Sequence, residues 1–153
     1  MDNNDILRRL RYTFDLNDEQ MTAVFGEAGF EVTQEQLGTW LKREGEDGYV
    51  QMDDRHLSAF LDGFIIQKRG RREGHPPVSV ATIDNNNILR KLKIALTLRD
   101  DDMVEIFKLA KMRVGKHEIS AFFRKPSQSQ YRPCMDQFLR NFLLGLQVRY
   151  RGK

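Results

Sequence analysis

Cysteine is almost absent. Cys134 stands alone among 153 residues, so no disulfide can form within the chain. A lone thiol fits a reducing compartment, and a cytoplasmic protein is expected. Proline is scarce at 4 and glycine modest at 11, which excludes collagenous and low-complexity classes. No apolar run approaches the roughly 18 residues of a membrane helix, so no membrane partner is expected. The opening Met1-Asp2-Asn3-Asn4-Asp5 is acidic and polar, unlike a secretory signal or transit peptide. What is present is 40% hydrophobic and 31% charged residues, the composition of an ordered, rather polar globular chain.

The chain matches itself without a gap at an offset of 82 residues. Asp2-Asn3-Asn4-Asp5-Ile6-Leu7-Arg8-Arg9-Leu10 meets Asp84-Asn85-Asn86-Asn87-Ile88-Leu89-Arg90-Lys91-Leu92. Met21, Phe25 and Ala28 meet Met103, Phe107 and Ala110. Tyr49, Asp54, Leu57, Phe60, Gly63, Arg69 and Gly70 meet Tyr131, Asp136, Leu139, Phe142, Gly145, Arg151 and Gly152. Between the copies, Arg69-Gly70-Arg71-Arg72-Glu73-Gly74-His75-Pro76-Pro77-Val78-Ser79 holds two adjacent prolines that exclude a helix. The reading is repeat one at 1–71, a linker at 72–82 and repeat two at 83–153.

Within each copy the apolar period is helical. Met21, Val24, Phe25 and Ala28 fall at i, i+3, i+4 and i+7, and Met103, Ile106, Phe107 and Ala110 answer them. Leu57, Phe60, Leu61 and Phe64 form a second such stripe, matched by Leu139, Phe142, Leu143 and Leu146. The spacing predicts helices near 4–14, 18–29, 34–43 and 54–68, repeated in copy two. No alternating run marks a strand. Asn4 and Asn86 are candidate N-caps, or Asn3 and Asn85 one residue earlier. Thr33 is placed to cap the third helix, with Gln36 three residues on. The prediction is an all-α protein of two tandem four-helix repeats packed against each other, because a single repeat of about 70 residues buries only a small core.

The pattern Asn-Asn-x-Ile-Leu-Arg, then Asp-x-x-Met-x-x-x-Phe-x-x-Ala, then Phe-Leu-x-Gly before Arg-Gly, occurs twice. It resembles the YehS-like bacterial family, whose members carry two copies of a domain of unknown function. The resemblance spans nearly the whole chain. It implies a small, cytoplasmic bacterial protein, and it carries over no catalytic residue because the family has none assigned. The copies differ at one irregular stretch, where Lys42-Arg43-Glu44-Gly45-Glu46-Asp47-Gly48 becomes Arg124-Lys125-Pro126-Ser127-Gln128-Ser129-Gln130.

The net charge of +3 hides a split. Residues 1–71 hold 9 Lys and Arg against 14 Asp and Glu, a net of −5. Residues 83–153 hold 15 against 7, a net of +8. Basic residues of copy two gather at Arg90-Lys91-Lys93, at Lys108, Lys111, Arg113 and Lys116, at Arg124-Lys125, and at Arg149, Arg151 and Lys153. With Tyr131 and Tyr150 nearby, they are candidates for contact with a phosphate backbone. The second and third segments also have the order of a helix-turn-helix, with Thr33–Arg43 as the recognition segment. Their connection, however, exceeds the usual 3–4 residues, and an ordinary helical hairpin explains it as well.

Chemistry-bearing constellations are missing. His56, His75 and His117 stand apart from one another, at no metal-ligand spacing. There is no phosphate-cradling glycine loop, and no cofactor or metal is expected. Cys134 reads as a small, half-buried apolar residue whose counterpart is Met52. Repeated polar residues remain: Asn4, Arg8 and Asp54, with Asn86, Arg90 and Asp136. Caps explain the asparagines, and inter-helix pairs would join the arginines to the aspartates. Gly63 and Gly145 interrupt apolar helices, which suggests close helix approach. The functional expectation is a non-catalytic protein-interaction or regulatory module. The alternative is nucleic-acid binding through copy two.

Overall fold

A computed structural model describes residues 1–71 and 82–152. The chain divides into two compact units, Met1–Ile83 and Asp84–Lys153. The expected linker at 72–82 lies, except for Thr82, outside the described residues. Ile83 belongs with unit 1, where its N–H donates to Asp54 Oδ2 at 3.2 Å.

Unit 1 contains α1 (Asn3–Phe14), α2 (Asp18–Glu27), α3 (Gln34–Leu41) and α4 (Asp54–Arg69). Unit 2 repeats them as α5 (Asn85–Ala95), α6 (Asp100–Leu109), α7 (Lys116–Phe122) and α8 (Asp136–Arg151). Every described residue within an element is helical, as the 3.6-residue stripes predict. The expected ends of α2 and α3 were too long by two residues each. Helix α2 stops because Gly29 turns left-handed at φ +81°, and Gly29 and Phe30 donate back to Gly26 and Phe25. Its counterpart in unit 2, Lys111, adopts the same conformation at φ +63°.

Each core is aromatic at its centre. In unit 1 the Phe25 ring packs 5.6 Å from Trp40 and 5.2 Å from Phe60. In unit 2 Phe107 packs 5.3 Å from Phe142, and Phe122 lies 5.4 Å from Phe138. Such offset and tilted pairs add to the burial of the rings. Helix α4 lies against α2, and α8 against α6, at glycine contacts. A Cβ on Gly63 would fall 1.8 Å from the Val24 carbonyl oxygen, and one on Gly145 would fall 2.0 Å from that of Ile106. The sequence expectation of close approach holds at both sites.

Candidate functional site

The N-caps of α1 and α5 are Asp2 and Asp84, not the asparagines. The Asp2 and Asp84 carboxylates accept from the N–H groups of Asp5 and Asn87, each at 2.8 Å. A cap must precede the first helical residue, and Asn3, Asn4, Asn85 and Asn86 already lie inside the helices.

The asparagines instead fasten an irregular stretch of each unit to its helices. Asn4 is fully buried, and its side-chain amide donates to the carbonyls of Trp40 at 3.0 Å and Val50 at 2.9 Å. Its Oδ1 accepts from the Met52 N–H at 2.9 Å. Asn86 repeats the arrangement, donating to Phe122 and Arg132 carbonyls at 2.9 Å each and accepting from Cys134 N–H at 2.8 Å. Three of the four hydrogen bonds open to one amide are thus made in each unit. Asn3 and Asn85 reinforce the join, donating to Asp54 at 2.8 Å and Asp136 at 2.7 Å. Asp54 and Asp136 therefore serve the asparagines. Arg8 pairs with Asp5 and donates to the Lys42 carbonyl at 2.7 Å, and Arg90 donates to the Phe123 carbonyl at 3.1 Å. The arginines thus cover the carbonyl ends of α3 and α7, where cations are favoured, rather than the aspartates.

Clamped this way, the two irregular stretches share their backbone hydrogen bonds despite their different sequences, although Gly45 and Gly48 of the first are left-handed at φ +92° and +86° while Ser127 and Gln130 of the second are not. Glu46 N–H donates to the Arg43 carbonyl, Tyr49 to Glu46, and Val50 to Thr39. In unit 2, Gln128 donates to Lys125, Tyr131 to Gln128, and Arg132 to Ala121. Even the side-chain brace recurs: Glu46 Oε1 accepts from Arg43 N–H, and Gln128 Oε1 accepts from Lys125 N–H, both at 2.8 Å. The outward residues of both loops are exposed.

Of the basic residues singled out in copy two, Lys93, Lys116 and Arg149 lie beside acids at the start of α6. Lys116 Nζ lies 2.5 Å from Asp101 and Arg149 lies 3.6 Å from Asp102, both in the first turn of α6. The contact with Asp101 raises the Lys116 ammonium above its ordinary value. Lys108 sits in the last turn of the same helix, seven residues from Asp101, or about 10 Å along the axis. Lys108, Lys111 and Arg113 are exposed and make no ion pair among the described residues. Arg124 and Lys125 lie in the clamped loop of unit 2, and Arg151 ends α8. Arg132 was not singled out in the sequence. Its only signal there was the replacement of Val50 by a cation at the matching position.

The remaining sequence candidates are buried or engaged in contacts within their own units. Cys134 is buried rather than half-buried, and burial, with the carboxylates of Asp136 and Asp84, pushes its thiol up to about 12. An open hollow of about 420 Å³ is lined by Asp2, Asn3, Gln51, Met52, Asp53 and Asp54. Its acids are committed: Asp2 caps α1, Asp53 caps α4 through the His56 N–H at 2.8 Å, and Asp54 holds Asn3. His56 also sets Nδ1 2.7 Å from Asp53 and packs its ring 4.9 Å from Trp40. In the hairpin proposed as a helix-turn-helix, Ala28–Thr33 joins α2 to α3, and α3 buries Leu37 and Trp40.

The repeated frame agrees with comparison to known proteins. A family model described as "Protein of unknown function (DUF1456)" matches residues 3–70 and again residues 85–152. The chain belongs to this family. Both DUF1456 matches fall on the two helical units. The chain is also 40% identical over 151 residues to "Uncharacterized protein YehS" of Escherichia coli (strain K12), covering 98% of this chain and 97% of that protein. No solved structure matches. No helix among the described residues is long and apolar enough to cross a membrane.

Proposed function

We propose that this DUF1456 protein is a non-catalytic binding module that offers two rigid loops, 42–50 and 124–132, to protein partners, in an interaction or regulatory role. The observation that supports the reading is the duplicated asparagine clamp. It spends a buried polar side chain in each unit on fastening the loop by the same hydrogen bonds, while the exposed residues of the two loops differ. Loops held on a rigid scaffold are where recognition residues concentrate. A cytoplasmic setting belongs to the same reading and draws on the single buried thiol.

The test is capture of partners from the source cell with the intact chain and with loop-exchanged variants. In one variant, residues 44–48 become Pro-Ser-Gln-Ser-Gln; in the other, residues 126–130 become Glu-Gly-Glu-Asp-Gly. Protein partners that survive nuclease and are lost on one exchange are expected. Partners indifferent to both exchanges would sink the reading.

A second reading, nucleic-acid binding through unit 2, is favoured by Lys108, Lys111 and Arg113, which are exposed and without ion pairs among the described residues. It predicts affinity for DNA or RNA that falls steeply with salt. That affinity should collapse in a Lys108→Glu/Lys111→Glu variant.

A further inference from the structure

The two units carry the same cations around the ends of α3 and α7, but not the same anions. Unit 1 has Arg8, Arg11, Lys42 and Arg43, accompanied by Asp5, Glu44, Glu46 and Asp47. Arg8 pairs with Asp5, and Lys42 Nζ donates to the Asp47 carbonyl at 2.7 Å. Unit 2 keeps each cation, as Arg90, Lys93, Arg124 and Lys125, and adds Arg132 in place of Val50. The acids become Asn87, Pro126, Gln128 and Ser129. Every one of those carboxylates is gone, while every cation remains.

The fold gathers these cations, which the sequence scatters. Arg90 reaches the Phe123 carbonyl, and Lys93 Nζ lies 4.6 Å from the centre of the Phe123 ring. Arg124 and Lys125 follow Phe123 in the chain. Arg132 is drawn back beside them, its N–H on the Ala121 carbonyl at 3.1 Å and its own carbonyl on Asn86. Lys93 lies 4.0 Å from Asp100, as Arg11 lies 2.6 Å from Asp18 in unit 1. Arg124, Lys125 and Arg132 have no ion pair among the described residues.

We infer that this cationic end of unit 2 is the docking site for an acidic segment of a partner protein, whose carboxylates supply the negative charge that Asp5, Glu44, Glu46 and Asp47 bring to the matching end of unit 1. The inference rests on the two-loop reading and names the partner chemistry at the second loop. Carboxylates are favoured over a nucleic-acid backbone because unit 1 places four carboxylates among the matching cations of the chain and pairs one of them, Asp5, with Arg8. Arginine matches carboxylate geometry in a bidentate fork, and complementary charge sets partner choice and association rate.

The test is fluorescence anisotropy of a labelled octaglutamate peptide with the full chain, against a polyglutamine peptide and a single-stranded oligonucleotide of equal charge. Octaglutamate should bind in a salt-sensitive way and more tightly than either control. A Pro126→Glu/Gln128→Glu/Ser129→Asp variant restores three acids of unit 1, with a glutamate where Glu46 makes the brace that Gln128 makes here, and it should weaken binding by about tenfold or more. Circular dichroism melting of the same variant checks that it folds, and an Arg132→Val variant supplies an independent loss of charge. Absence of octaglutamate binding, equal binding by both variants, or tighter binding of the oligonucleotide through the same residues overturns the inference. The two-loop reading fails separately, by partner capture that ignores loop exchange.

Discussion

The Cβ that Gly63 lacks would fall 1.8 Å from the carbonyl oxygen of Val24, inside any tolerable contact. Helix propensity alone would make Gly63→Ala stabilising by up to ~1 kcal/mol. The clash is with backbone, so the helices must part, and a loss of about 3 kcal/mol is expected instead. Gly26 is helical too, with open space where a Cβ would sit. Gly26→Ala should therefore raise the melting temperature while Gly63→Ala lowers it. A rise for both would show that α2 and α4 are not locked at this contact.

Replacing Asn4 by alanine strands the buried Trp40 carbonyl, the part-buried Val50 carbonyl and the Met52 N–H at once. The expected cost is about 3 kcal/mol in urea unfolding, well beyond that of an exposed substitution. Asn86→Ala should cost unit 2 a similar amount. A loss under about 1 kcal/mol in both would mean that water replaces the clamp.

Helix α8 lacks the side-chain cap that α4 has. Met135 occupies the position of Asp53, makes no capping bond and is 61% exposed. Met135→Asp recreates the Asp-Asp start of α4 and should stabilise unit 2 by about 1 kcal/mol. Unchanged or lower stability in calorimetry would contradict the cap assignment.

Acid should weaken unit 1 first. Partial burial pushes Asp5 and Asp53 up, but it is outweighed. At Asp5 the Asp2 N–H and the Arg8 charge hold the carboxyl below its ordinary value, and at Asp53 the N–H and ring of His56 do so. A lowered folded value contributes stability above the unfolded carboxylate value of ~3.9, and that stability is lost as pH falls through the folded value. Unit 2 has Asn87 and Met135 at these positions. Trp40, the single tryptophan, is buried in unit 1 and reports on that unit alone. The urea midpoint read by its fluorescence should fall below about pH 4, and less steeply in Asp53→Asn. A midpoint flat across that range in the unmodified chain would exclude this linkage.

The repeat and its helices were legible because both are periodic. An 82-residue offset and a 3.6-residue stripe each recur many times, so single misfits do not blur them. The glycine contacts were legible for a related reason, since a helix interior tolerates Gly only where something offsets its cost. The asparagines were misread. A polar residue just before an apolar stripe looks like a cap, and the carbonyls that Asn4 meets lie 36 and 46 residues away. Local sequence carries no trace of such partners. The cationic end of unit 2 was half visible, since Arg90, Arg124 and Lys125 stood out as separate runs. Arg132, alone between Tyr131 and Pro133, did not.

The reach of Asn4 from α1 to the loop also ties together two segments that exchange their amide protons as one. Met52 N–H and Cys134 N–H point at oxygens buried within α1 and α5, not at solvent. Neither proton can exchange unless the loop leaves the helix or the helix frays back past its second residue. The amides of Met52 and Cys134, which carry no regular secondary structure, should therefore exchange on the timescale of α1 and α5 rather than that of surface turns. In opening and closing, each irregular stretch is an extension of the first helix of its unit.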